Sequence, residues 1–148
     1  MSVKMDIWET ELINTVYRES KMGLNAIHNV IGKVYDENLA LDLNKQAARF
    51  SKLEEKAAEI LIENGEMPRS ISPLEKAKIW AAMQASTVMN TSTGHIAEMM
   101  IKENSAEIID VFKTVKRNKN ISSEGMEIAN ELMDFGEKNI NILKSYIK

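Results

Sequence analysis

The chain has 148 residues, with 19 basic against 22 acidic side chains, a net charge of −3, 44% hydrophobic residues, 10 methionines and no cysteine. Those numbers exclude a disulfide scaffold, a cysteine-based zinc site and a thiol redox centre, and the interspersed, slightly acidic charge pattern argues against a nucleic-acid binder. No run of about 18 apolar residues is present to span a membrane, and the opening MSVKMDIWETEL has no apolar signal core. The expectation is one soluble, cytoplasmic domain over residues 1–148.

The two prolines, Pro68 and Pro73, lie five residues apart, and the long proline-free stretches on either side favour helix. A first helix is predicted from about Asp6 to Val34. Its apolar stripe is Trp8, Leu12, Val16, Leu24, Ile27, Ile31 and Val34, spaced as one helical face. After a tight connection at Tyr35–Asn38, a second helix runs from about Leu39 to Asn64. Its stripe is Leu43, Ala47, Phe50, Leu53, Ala57, Ile60 and Leu61, and Asn64-Gly65 stops it.

Residues 66–72 read as a loop. Ser72-Pro73-Leu74-Glu75 then opens a third, shorter helix with a capping box, Ser at N-cap, Pro at N1 and Glu at N3. That helix extends to about Met89 and is apolar around much of its circumference, through Leu74, Ile79, Trp80, Ala81, Ala82, Met83, Ala85, Val88 and Met89. Asn90–Gly94 breaks the pattern. A fourth helix follows from about Gly94 to Arg117, with Ile96, Met99, Met100, Ile108, Ile109, Phe112 and Val115 as its stripe. Ser122 or Ser123 caps the last, which runs to about Ile147 through Ile128, Leu132, Phe135, Ile140 and Leu143.

Four helices of about 24–29 residues, roughly 36–43 Å each, joined by short connections, pack as a bundle. The short helix is then the crossover between the second and third bundle helices. On these helix lengths, on the crossover around Ile79-Trp80 and on the final stretch Phe135-Gly136-Glu137-Lys138-Asn139-Ile140-Asn141-Ile142-Leu143-Lys144, the chain resembles the ferritin-like superfamily. It is most similar to small bacterial families of that superfamily with no assigned role. The resemblance implies an all-α four-helix bundle covering nearly the whole chain. Active members hold two metals between a Glu from each of two helices and a Glu-x-x-His from each of the other two.

That ligand set is missing here. Asn25 stands three residues before His28 and Ser92 three before His95, so no Glu-x-x-His exists. On the second helix the matching acid is Glu54 and the histidine position is Ala57. On the last helix the pair is Gly136 and Asn139; on the fourth the acid falls near Glu103 or Asn104; on the first Glu19 is nearest. No cofactor is expected, and no catalytic residue is assigned. Glu19, Glu54, Glu103 and His28 remain the candidates for a residual metal site. Against that, each acid can sit on the watered flank of its stripe, because a buried ionised carboxylate is costly unless paired, and His28 can be an ordinary boundary residue.

Other features have structural readings beside functional ones. The methionines fit packing positions, although Met-rich surfaces also bind varied partners. Lys113, Lys116, Arg117 and Lys119 suit the fourth helix's C-terminal dipole; they are also the surface for a third reading, a helical adaptor with an acidic partner. No Gly-rich phosphate loop or nucleophile elbow is present. A helix apolar all round is buried on more than one side. Trp80, Ala81 and Met83, with Trp8, are therefore the expected contacts of a homodimer or larger homo-oligomer. The leading expectation is a non-enzymatic bundle that associates with itself or binds a protein or small-molecule partner, with no nucleic acid and no membrane. The alternative is a divergent metal-binding or oxidase-like carboxylate bundle.

Overall fold

The computed structural model describes residues 5–88, 90–118 and 120–148, with the side chain of Val88 left aside. Met89, expected to end the third helix, and Lys119, counted in the basic group, lie outside the described residues. The described chain is all helical. Five α-helices follow in order: α1 Ile7–Val30, α2 Glu37–Glu63, α3 Pro73–Val88, α4 Thr93–Lys116 and α5 Ser123–Lys144, with a 3₁₀ turn at Ile31–Lys33. None of them is long and apolar enough to cross a membrane.

Local chemistry sets the helix ends. Asp6, Asp36, Ser72, Ser92 and Ser122 each accept a hydrogen bond from a backbone N–H of the following turn, satisfying donors that the helix itself leaves free. At the end of α2, Gly65 takes φ 77°. Its N–H bonds the carbonyl of Ile62 and that of Glu66 bonds Leu61, the paired closure that favours glycine. The first helix is shorter than expected because its last residues tighten into the 3₁₀ turn.

Cross-links between side chains give the helix directions. Gly23 abuts Phe50 and Lys21 pairs with Glu54, so α1 and α2 run antiparallel. Glu11 with Arg117, and Thr15 with Thr114, set α1 antiparallel to α4. Asn104 with Asn139, and Ile108 over Gly136, do the same for α4 and α5. Lys56 with Glu131, and Asp42 with Tyr146 just past α5, do so for α2 and α5. The core holds the whole stripe predicted for α2, together with Leu12, Val16, Ile27, Ile96, Met100, Ile128, Leu132 and Leu143.

Two faces differ from expectation. On α4 the inward residues are Ile96, Met100, Asn104, Glu107, Val111 and Thr114, while Ile109 and Phe112 are each 51% exposed. On the rotated face small Thr114 lies 3.5 Å from Thr15 of α1, and this close approach of the two helices turns Phe112 outward. The other difference is α3. It leans chiefly on α1, and within it Met83 and Thr87 are buried while Leu74 and Trp80 stand out.

Phe50 is wedged between Gly23 and the Phe135 ring, whose centroid is 4.9 Å away. A Cβ at Gly23 would lie 2.5–2.8 Å from the Phe50 ring. Alanine raises helix propensity by about 1 kcal/mol over glycine, but overpacking costs about 1–3 kcal/mol. Gly23→Ala is therefore expected to lower the urea midpoint. Phe50→Leu should cost less stability in the Gly23→Ala background than alone, and additive losses would contradict this packing.

Candidate functional site

Glu19 lies on α1 between Val16 and Gly23, three and four residues from two buried neighbours. That spacing puts it on the inward face, where it is 2% exposed. Glu107 holds the equivalent place on α4, between Asn104 and Val111, and is also 2% exposed. Because α1 and α4 are antiparallel, Glu19 meets Asp110, and Glu103, one turn before Glu107, completes the group. Four carboxyl groups thus share one seam.

Their proton affinities follow from that placement. Burial pushes the Glu19 carboxyl up to about 8; a hydrogen bond to Asp110 and the Asp110 charge add to it, and Arg18 opposes it. Burial, then the charges of Glu103 and Glu19, raises Glu107 well above the usual carboxylate range. Burial also raises Glu103. Among the described residues, no amide, hydroxyl or basic side chain donates to either carboxyl oxygen of Glu107; its neighbour is the Glu103 carboxyl. An unpaired charge there is costly, so the group keeps its proton.

Of the residues singled out in the sequence, the fold brings together Glu19 and Glu103. Glu54 stands apart, paired with Lys21 at 3.6 Å in a partly exposed bridge. His28 is on the exposed side of the last turn of α1, nine residues from Glu19 and without a place in the seam. Ala57, Gly136 and Asn139, the positions matched to missing ligands, do face inward, as does Asn104. There Asn139 donates to the Asn104 side-chain oxygen at 3.1 Å and Asn104 donates to the Met100 carbonyl at 2.8 Å, so one amide–amide hydrogen bond crosses the α4–α5 contact. Among the described residues, no group of three or more His, Asp or Glu side chains is arranged to hold a metal ion.

Glu107 escaped the sequence reading. Its signal was the 4-4-3-4-3 spacing of Ile96, Met100, Asn104, Glu107, Val111 and Thr114, a helical face like the chosen one but with polar members.

The remaining candidates are surface residues, with one exception. Trp8 and Trp80 are about half exposed and Ala81 is exposed. Met83 is the exception: it is 9% exposed, packs into the core and accepts from the Asn29 amide at 3.7 Å. It therefore does not lie on the outer face of α3 with Ala81. Lys113, Lys116 and Arg117 are exposed at the end of α4, with Lys116 over the Phe112 ring and Arg117 near Glu11. No family model, no curated protein and no solved structure matches this chain.

The raised carboxyl of Glu19 has a consequence for stability. Below the unfolded value, 4.5, both states hold the proton. Between 4.5 and about 8 the folded state holds it and the unfolded state releases it, so folding loses stability as pH rises. Glu19→Gln is expected to leave the urea midpoint nearly unchanged at pH 5. At pH 8 it should raise stability by on the order of 2 kcal/mol. An equal effect at both pH values would contradict the buried, protonated state.

Proposed function

We propose that the chain is a ferritin-like four-helix bundle of α1, α2, α4 and α5, with α3 on the crossover, and that its role is non-enzymatic self-association. What supports the fold reading is the set of antiparallel pairs. By those pairs α2 and α4 run the same way, so the chain has to travel from one end of the helices to the other between them. The 16 residues of α3 supply about 24 Å of that path.

The observation that carries the functional reading is the uncovered side of α3. From Ile79 to Val88 the helix has no charged residue. Opposite buried Met83 and Thr87, it presents Leu74, Ala81 and Ala85 to solvent, with Lys78 the one charged residue on that face. An apolar stripe of that kind marks a contact surface. Its pattern is self-complementary. Two α3 helices paired antiparallel about a two-fold axis set the large Leu74 of each against the small Ala85 of the other and Ala81 against the aliphatic stem of Lys78, whose ammonium can reach water at the rim. Trp80 flanks this stripe, and Trp8 lies on a separate exposed surface.

The gathering of Glu19, Glu103 and Glu107 is the one observation that favours the alternative, a divergent metal-binding or oxidase-like carboxylate bundle. Among the described residues no group of three His, Asp or Glu side chains stands in holding geometry, which favours the first reading. Elemental analysis after anaerobic incubation with ferrous iron and manganese separates the two. Near-zero metal is expected, and about two equivalents per chain would make the metal reading the leading one.

Light scattering coupled to size exclusion tests self-association. The wild-type chain is expected to run as a dimer or larger, and Ala81→Arg as a monomer with unchanged helical circular dichroism. A monomeric wild type at its highest soluble concentration would end this reading.

A further inference from the structure

Beside α3, on the flank that faces α1, lies a cleft of about 300 Å³. It is distinct from the outward stripe of Leu74, Ala81 and Ala85 and from the carboxyl seam. Two i, i+4 pairs form its opposing walls. Asn25 and Asn29 come from α1, and Lys76 and Trp80 from α3; residues four apart on a helix stand side by side. Met22, Ile71 and Ile79 make the rest of the surface apolar.

The chemistry of this lining is selective. The volume lies at the small end of ligand sites, which are mostly apolar with a few placed polar groups. Trp80 offers a broad indole face at the mouth, 55% exposed. The Asn29 amide donates to the thioether of Met83 at 3.7 Å, a weak acceptor, so a better acceptor can displace that contact. Lys76 is the only charged residue on the walls, and no acid lines them among the described residues. A lysine is a single point charge, in contrast to the two-pronged arginine fork suited to phosphate. The cleft therefore carries one positive charge, one aromatic face and two amides.

We propose that the α1–α3 cleft binds a small aromatic monocarboxylate, with its ring against Trp80, its carboxylate on Lys76 and its edge within reach of the Asn25 and Asn29 amides. Charge complementarity selects this occupant over the α3 face of a second copy of the chain, whose exposed Lys78 would bring a like charge toward Lys76. It also selects it over a neutral apolar molecule, which would leave Lys76 unused. This inference does not depend on self-association through the outer stripe.

The test uses the full chain labelled with ¹⁵N. The chain has 2 tryptophans, so its indole N–H resonances are assigned with a Trp8→Phe variant. Phenylacetate is titrated in, with phenylacetamide as the uncharged match. The Trp80 resonance is expected to shift saturably with phenylacetate, and phenylacetamide and Lys76→Gln should each weaken binding about tenfold. Lys76→Arg should retain most of the affinity, and Ala77→Phe, which narrows the cleft, should abolish the shift with the helical signal intact. Equal binding of phenylacetamide would overturn the carboxylate assignment. A Trp80 resonance that ignores phenylacetate but moves on protein dilution would overturn the proposal and make the cleft a seam between copies.

Discussion

Everything in this fold leans on α1. It contacts α2, α3, α4 and α5, and five consecutive residues, Leu12 to Val16, are buried. Five residues exceed one turn, so the helix is enclosed on all sides at that point. An enclosed helix cannot turn polar side chains out to water, so a polar group there is costly unless it finds a partner inside. Asn14 accepts the backbone N–H of Arg69, which pins the loop before α3. Thr15 donates to the Glu11 carbonyl and Thr114 to the Asp110 carbonyl, and the two small hydroxyl groups meet at 3.5 Å where α1 and α4 pack. The polar residues of α1 thus fix where its neighbours lie, while Leu12, Val16 and Ile27 supply the apolar burial that holds them there.

The same enclosure explains the carboxyl seam. Glu19 is carried inward by the register of α1, and Glu107 by the rotated face of α4. Two ionised groups in that setting would repel each other with little water to screen them. Burial raises the proton affinity of both Glu19 and Glu107 and so favours their neutral forms, while Asp110 stands exposed at the edge of the seam. Ser20 and Gln46 also have buried polar atoms without a partner inside the protein, so α1 and α2 carry further polar groups in the core. Such groups cost stability in comparison with apolar side chains of similar size. The interior here is accordingly a mixture of apolar stripes and neutral polar groups.

A different balance governs α3. It reaches the rest of the molecule through Met83, Thr87 and a few polar ties: Lys33 to Gln84 and Thr87, and Ser86 to His95 at the start of α4. A short helix with few buried apolar contacts belongs to the less stable part of a fold. Its uncharged second half and its exposed Trp80 are at odds with an element meant to stand alone in water. That mismatch between composition and burial distinguishes α3 from the four longer helices, each of which shows a clear inner and outer face.

The helices and their ends could be read from the linear chain, because capping and closure are local. Ser72 and Ser122 act within one turn of where they stand and Gly65 supplies a backbone conformation other residues avoid, whereas Asp36 and Ser92, expected as connecting residues, turn out to be caps as well. The face of α2 was equally legible, since its apolar residues form a single stripe. On α4 two stripes compete, one through Ile109 and Phe112 and one through Asn104, Glu107 and Thr114, and hydrophobicity favours the one that ends in solvent. Only the approach of α1 and α5 decides between them: Thr114 fits beside Thr15, and Asn104 finds Asn139. The meeting of Glu19 with Glu107 and Asp110 is likewise tertiary. It joins residues about ninety apart in the chain through the antiparallel packing of two helices, and no local rule relates them. Periodicity assigns a residue to a helical face, whereas the identity and shape of the neighbouring helix determine which face is buried.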